Sequence, residues 1–335
     1  MSLNKRLIAV GPPPETATFN IVTYSGNDST QSITGVGFQP DAVWIKPRNQ
    51  VENHTFHDST RGSTNQFAPN GNANYREQSN TITSFDSDGF TTGNDNNTNK
   101  SGINYVAWCW KANGGTTSSN TDGSITSSVQ VSSDQGFSIA QFTGTQNNAS
   151  VGHGLGGAAE FVFTKGSQGI PAMHMGDGTN KYWGYRLNET GLDTGNGAGF
   201  FQNFTPNSTI FKVGASDESN KSSTVTYAYS FRSISGVSKF GYYTSNAGTK
   251  ITTGFEPKFM MFKYANGGDW YMQDLVRYAG ATGGNGGKLI KLYLVANTTA
   301  AEASVSTGGV EVMSDGFYPT NWFDTTNGVV YMAWA

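Results

Sequence analysis

Apolar residues in this chain gather in short runs separated by Gly, Ser, Thr, Asn and Pro, and the runs have the character of strands. Ala42-Val43-Trp44-Ile45-Lys46, Phe161-Val162-Phe163-Thr164-Lys165 and Phe259-Met260-Met261-Phe262-Lys263 are apolar on both faces, and each ends in a lysine. Runs too short for an ordinary helix and covered on both sides predict central sandwich strands. Ser124-Ile125-Thr126-Ser127-Ser128-Val129-Gln130-Val131 alternates instead, as a strand able to pair with either neighbour. Helical periodicity is missing almost from end to end. Small helix formers cluster only at Thr299-Ala300-Ala301-Glu302, where one short helical turn is expected. The pattern predicts an all-β class.

It also repeats. Val22-Thr23-Tyr24-Ser25-Gly26, followed by Gly37-Phe38-Gln39-Pro40, returns as Ala140-Gln141-Phe142-Thr143-Gly144 with Gly154-Leu155. A third copy reads Tyr242-Tyr243-Thr244-Ser245 with Gly254-Phe255-Glu256-Pro257. Tyr24, Phe142 and Tyr243 are then equivalent, each about one small domain from the next. The module ends repeat as well: Tyr105-Val106-Ala107-Trp108-Cys109-Trp110, Tyr227-Ala228-Tyr229-Ser230-Phe231 and Tyr331-Met332-Ala333-Trp334-Ala335. This alignment puts Trp108 and Trp334 at equivalent buried positions. Ser87-Asp88-Gly89-Phe90 and Ser314-Asp315-Gly316-Phe317 predict strand, tight turn, strand, with Asp-Gly supplying the positive φ of a hairpin turn. The middle copy offers only Thr209-Ile210-Phe211-Lys212-Val213-Gly214 here. In the first closing strand Tyr105, Ala107 and Cys109 share one face and Val106, Trp108 and Trp110 the other, so neither face is solvated. Such a strand lies between its own module's core and either a neighbouring module or another subunit.

The expected architecture is three tandem β-sandwich (jelly-roll-like) modules behind a short N-terminal arm. The arm covers 1–18, where Gly11-Pro12-Pro13-Pro14 imposes an extended, polyproline-like chain. The modules cover 19–112, 137–232 and 233–335, with a linker and bridging strand at 113–136. Lys5, Arg6, Leu7, Pro12, Pro13 and Pro14 are the arm residues expected to anchor the protein to a larger assembly, because a proline-rich segment orders most readily on a partner surface.

Composition excludes some functions. Charged residues are 13% of the chain, the net charge is −3 and basic residues are scattered, so nothing draws it to nucleic acid. No apolar run approaches the roughly 18 residues of a membrane span, and Leu7 to Val10 is far shorter than a secretory signal core. Neither membrane insertion nor a signal peptide is expected. The 21 Phe, 15 Tyr and 7 Trp oppose disorder. The single Cys109, inside an apolar strand, reads as a buried small hydrophobe.

Candidate chemistry is sparse. His54 and His57 precede Asp58 in a His-x-x-His-Asp run, but residues three apart on a strand face opposite ways, so no metal site is expected. Asp86, Asp88, Asp95 and Asp122 lie among Asn and Gly without the spacing of a calcium loop. Asp58-Ser59-Thr60-Arg61 returns as Asp274-Leu275-Val276-Arg277 at the same stage of modules one and three, and reads as a structural ion pair in each. No hydrolase elbow, phosphate loop or zinc motif is present, and the Gly-rich runs at 152–157 and 283–287 join no strand to a helix. Tyr182, Trp183, Trp270 and Tyr271 are candidate glycan-stacking aromatics on loops. No catalytic residue and no cofactor is expected.

The Gly37-Phe38-Gln39-Pro40-Asp41-Ala42-Val43-Trp44-Ile45-Lys46 and Tyr105-to-Lys111 elements, after Asn4-Lys5-Arg6-Leu7, resemble those of three-repeat virion structural or tail-fibre-like proteins of marine tailed bacteriophages, such as those infecting cyanobacteria. The resemblance spans essentially the whole chain. It implies a protein made in the host cytoplasm and assembled on the particle exterior, as a peripheral fibre or spike with host-surface glycan adhesion, or as a capsid-decorating accessory held by its arm. Other virion proteins, copies of itself in a trimer, and host-surface polysaccharide are the implied partners. A glycan-degrading enzyme is disfavoured, since no paired carboxylates sit in a convincing site context.

Overall fold

The computed structural model describes residues 18–335 apart from 167–170, 177–181, 192–197, 203, 206, 245–247, 279, 321 and 324–327. The arm residues Lys5, Arg6, Leu7, Pro12, Pro13 and Pro14 lie outside the described residues. Strand accounts for 45% and helix for 5%, so the chain is all-β.

Module 1 holds β1 (Phe19–Ser25), β2 (Gln31–Ile33), β3 (Ala42–Pro47), β4 (Thr55–Asp58), β5 (Asn65–Phe67), β6 (Arg76–Glu77), β7 (Ile82–Asp86), β8 (Gly89–Thr92), the turn α1 (Asn96–Asn99) and β9 (Asn104–Trp110). Its large antiparallel sheet, β1-β9-β3-β4-β5-β6, packs on the small sheet β2-β8-β7. Module 2 holds β10 (Ser118–Asn120), β11 (Ser127–Ser132), β12 (Phe137–Thr143), β13 (Ala149–Gly152), β14 (Phe161–Gly166), β15 (Ala172–Gly176), β16 (Tyr182–Arg186), α2 (Ala198–Phe201), β17 (Ile210–Val213), α3 (Asp217–Asn220) and β18 (Val225–Phe231). Its sheets are β10-β11-β12-β18-β14-β15-β16 and β13-β17. Module 3 holds β19 (Ser238–Tyr243), β20 (Ile251–Thr252), β21 (Phe259–Tyr264), β22 (Tyr271–Asp274), β23 (Lys288–Ile290), β24 (Leu292–Val295), β25 (Ala303–Ser304), β26 (Val310–Met313), β27 (Gly316–Pro319) and β28 (Val329–Trp334). Its sheets are β19-β28-β21-β22-β24-β25 and β20-β27-β26-β23. One strand order therefore recurs: β1-β9-β3-β4-β5, β12-β18-β14-β15-β16 and β19-β28-β21-β22-β24. The bridging strand β11 joins the β12 edge of module 2.

Each module has a core between its two sheets, and the three large sheets turn their other faces towards one shared core. β9 shows how the sequence arranges this. Tyr105, Ala107 and Cys109 enter the core of module 1, whereas Val106, Trp108 and Trp110 enter the shared core. The second cover over the closing strand is thus the rest of the same chain.

Register corrects one equivalence. Trp110 pairs with Ala42, Phe231 with Phe161 and Trp334 with Phe259, each opposite the first residue of a lysine-ended strand. Trp334 therefore matches Trp110, while Trp108 matches Tyr229 and Met332. The shared Tyr-x-Ala-Trp tetrapeptide is offset by two residues, which keeps the face of the strand and changes the layer. The matched trio meets at the centre: Trp110 and Trp334 rings are 5.8 Å apart, Trp110 and Phe231 6.3 Å, Phe231 and Trp334 5.7 Å, all edge-to-face. Three like positions in mutual contact define a pseudo-threefold axis.

Both hairpins form, β7–β8 and β26–β27, and the expected positive φ holds at Gly89 but not at Gly316. Gly89 has φ +150° while Gly316 is not in the positive-φ region. A Cβ on Gly89 would lie 2.0 Å from the Ile33 carbonyl oxygen, and one on Gly316 2.2 Å from that of Ile251. In both, glycine is also required because the next strand of the small sheet approaches so closely. Asp88, beside Gly89, accepts from the Gly35 and Gly37 N–H groups and closes the turn before Phe38.

Thr299 to Glu302 is not helical. Its backbone bonds to module 1, Glu52 N–H donating to Thr299 O and Glu302 N–H to Arg48 O. Those partners compete with an intrasegment turn and win.

Candidate functional site: the module junctions

Several buried polar side chains lie where one module meets the next. Asp58, Met175 and Asp274 are equivalent, as each lies on the strand next to the lysine-ended one, opposite Ala42, Phe161 or Phe259. In module 1 Asp58 accepts from Arg61 N–H (2.9 Å), from Arg61 Nε and from the Tyr229 hydroxyl of module 2 (2.7 Å). In module 3 Asp274 accepts from Arg277 N–H (2.9 Å), from Arg277 Nε (2.6 Å) and from Trp108 Nε1 of module 1 (3.2 Å). Each arginine also donates to the carbonyl five residues back, Phe56 or Met272. The structural ion pairs are present, and each holds the closing strand of another module. Module 2 has Met175 at this place, and Met332 replaces Tyr229 and Trp108 on the strand of module 3. Carboxylate and aromatic donor change together to thioethers.

The lysines ending the central strands repeat the same cycle. Lys46 donates to Thr299 O of module 3 (3.2 Å), Lys165 to Ala73 O of module 1 (2.8 Å) and Lys263 to Thr190 O of module 2 (3.2 Å). All three are buried, and burial lowers each ammonium to about 8. Arg48 and Arg277 converge on Glu302, joining modules 1 and 3; burial alone would raise that carboxyl, but the two guanidinium groups hold it below its usual value.

The histidines are buried as well, and His54 reaches across a junction. His54 Nδ1 accepts from Trp44 Nε1 (2.8 Å) and its Nε2 donates to Val295 O of module 3 (3.1 Å). His57 faces the other way and donates from Nδ1 to Ser63 O (2.7 Å). His153 accepts from Leu155 N–H and donates to Asn207 O. His174, equivalent to His57, stacks on Phe204 at 4.3 Å. Burial pushes His57 and His174 down to about 3 and His153 to about 4, and His54 well below the usual range, so all four are neutral at pH 7. No group of three metal-ligating side chains occurs among the described residues.

The glycan candidates fare differently. Trp270 is fully buried, edge-on to Tyr185 at 5.2 Å and donating to Arg186 O of module 2, so it is a junction residue and cannot stack on a sugar. Tyr271 is half-buried against Trp322 at 4.7 Å. Tyr182 and Trp183 lie in β16, with side chains outside the described residues. Two further residues, Asn99 and Asn220, are not singled out by sequence reasoning. Each ends a helical turn and ties a loop shut, Asn99 to Asn27, Ser29 and Gly93, and Asn220 to Thr145, Asn147 and Gly214. The signal that could have found them is the repeated Asn-Lys-Ser at 99–101 and 220–222.

Fold and junctions together define a triplicated β-sandwich protein whose buried polar groups bind its modules to one another. The chain belongs to the family described as a domain of unknown function, DUF7483, whose model matches residues 15–335. That match takes in all three modules, so the family's unit is the whole triplicate. No curated protein and no solved structure matches the chain.

Proposed function

We propose that the protein is a non-enzymatic structural component of the exterior of a tailed-phage particle, a peripheral fibre or spike element that contacts host-surface polysaccharide. The observation that carries this reading is the closed cycle of junctions. Asp58, Asp274 and Glu302 each accept two or more charge-assisted bonds from side chains of the junctions, an arrangement that commits these carboxylates to holding the modules together. A chain that commits its buried ionisable groups to cohesion is built for rigidity, and the likeness of its repeats to phage structural proteins supplies the setting. Gold-labelled antibody against module 3, applied to purified particles, tests the placement. Label at the tail periphery is the expected result; label on the capsid would make the protein a decoration, and unlabelled particles would remove it from the virion. Incubation with host envelope polysaccharide should release no new reducing ends, and sustained release abolished by replacing one carboxylate would make it an enzyme.

A further inference from the structure

A cavity of about 280 Å³ opens on module 1 over β4 and β5. Its floor includes Thr55 and Gln66, which share the sheet face opposite Trp44 and Phe56, and no residue of β2, β7 or β8 lines it among the described residues. Thr55 is 2% exposed and its hydroxyl is buried with no hydrogen-bond partner; Gln66 is 4% exposed. On the wall, Asn97 Oδ1 is likewise buried and unpartnered. Asn72, Asn74 and Arg76 stand exposed at the rim.

The pseudo-threefold repeat supplies two controls. At the place of Thr55 and His57, module 2 has Ala172 and His174, roofed by Phe201 and Phe204. Module 3 has Tyr271 at the place of Thr55, packed by Trp322 and Phe323. Module 3 fills this position with aromatic rings, module 2 sets rings against the neighbouring histidine, and module 1 leaves a polar hollow.

We infer that the hollow is a binding site for a single neutral sugar ring, such as a terminal hexose of a surface polysaccharide. Orphaned uncharged donors and acceptors call for a ligand whose groups are both, as hydroxyls are. An apolar occupant would leave the Thr55 hydroxyl unpaired, at a cost. A cation would need carboxylates, and none lines the cavity among the described residues. A phosphate would want more than the one rim arginine. The volume, about 280 Å³, falls just below the roughly 300–1,000 Å³ typical of ligand sites, enough for one ring and not for a buried chain. The inference deepens the adhesive side of the proposed function and rests on it only for the natural source of the sugar.

The test uses the purified full chain, free glucose, galactose, rhamnose and N-acetylglucosamine in saturation-transfer NMR, and an array of bacterial envelope oligosaccharides. At least one sugar should bind. Thr55→Val, which keeps the volume, and Gln66→Leu should each weaken it about tenfold, the loss of one buried hydrogen-bond partner. Ala68→Phe, which fills the hollow from its lining loop as rings do in module 3, should abolish binding with melting unchanged. No binding to either panel, or binding within twofold of normal in Gln66→Leu and Ala68→Phe, overturns the site. Because these measurements need no particle, sugar binding by a protein absent from virions would sink the virion reading alone.

Discussion

Replacing Asp58 by Ala probes the junction logic most directly. The change removes three hydrogen bonds and leaves the Arg61 guanidinium, whose side chain is 1% exposed, without its counter-charge. Breaking a buried pair from one side costs about 3–5 kcal/mol, a large part of the roughly 5–15 kcal/mol that holds a typical domain folded. Tyr229→Phe removes only one bond to a carboxylate that keeps its arginine, so about 1.5–3 kcal/mol is expected. The triple variant Asp58→Met, Arg61→Met, Tyr229→Phe brings to this junction the thioether found at Met175, and should recover at least half of the Asp58→Ala loss, since well-packed apolar groups replace buried ion pairs at little cost. Urea midpoints at unchanged slope give these differences. A loss below about 1 kcal/mol for Asp58→Ala would contradict burial of the pair. A triple variant no better than the single one would show that the charge itself is required, and the reasoning from Met175 would fail.

Protonation gives two pH windows in which stability changes with the same sign. His57, His174 and His153 are held near 3, 3 and 4 against 6.5 in an unfolded chain, so the unfolded state takes up more protons in acid and stability should fall as pH drops from about 6.5 towards 4. A melting temperature flat across that window would contradict their burial. Lys46, Lys165 and Lys263 sit at about 8 against 10.5, so between those values the unfolded chain again holds more protons and their contribution to stability should rise with pH; Lys46→Met should reduce that slope, and an unchanged slope would remove Lys46 from the account. Trp334→Ala and Trp110→Ala should cost a similar amount, about 3–5 kcal/mol each, as equivalents in one aromatic trio; calorimetry showing one of them neutral would break the equivalence. Asn99→Ala and Asn220→Ala should each cost about 1–3 kcal/mol, with matching loss of amide protection in the loops they tie.

Much of this fold can be read from residue order because strand signals are local. The apolar runs ending in Lys46, Lys165 and Lys263 are strands, the paired Asp-to-Arg spacings are ion pairs, and the two-faced apolar pattern of Tyr105 to Trp110 implies a second cover. What that cover is depends on contacts more than a hundred residues apart, which no window of sequence contains. Trp270 reads as a loop aromatic because its partners, Tyr185 and Arg186, belong to another module. Thr299 to Glu302 reads as helical because propensity is a weak local preference, and residues 48–52 of module 1 override it. The two-residue offset of Tyr-x-Ala-Trp is hidden because a shift of two preserves the face of a strand, the only thing an alternation pattern reports. The open hollow of module 1 is invisible for a related reason: it is defined by rings that module 3 places there and module 1 does not.

Carrying three modules in one chain has a consequence that three identical subunits could not share. In a true threefold trimer every junction must be the same, so a substitution that suits one contact is imposed on all three. Here the junctions have separated. Two are fastened by Asp–Arg pairs reaching Tyr229 and Trp108, and the third has Met175 and Met332 at the matching positions. The outer faces have separated likewise, with Phe201 and Phe204 over one, Trp322 and Phe323 over another, and Thr55, Gln66 and Asn97 around a hollow in the third. Cohesion is therefore distributed over the cycle while one module keeps an unfilled polar hollow. The diverged middle copy is the form this freedom takes: its Met175 costs the assembly little, because the junction it makes is held by Lys263 and Trp270 from the neighbouring module.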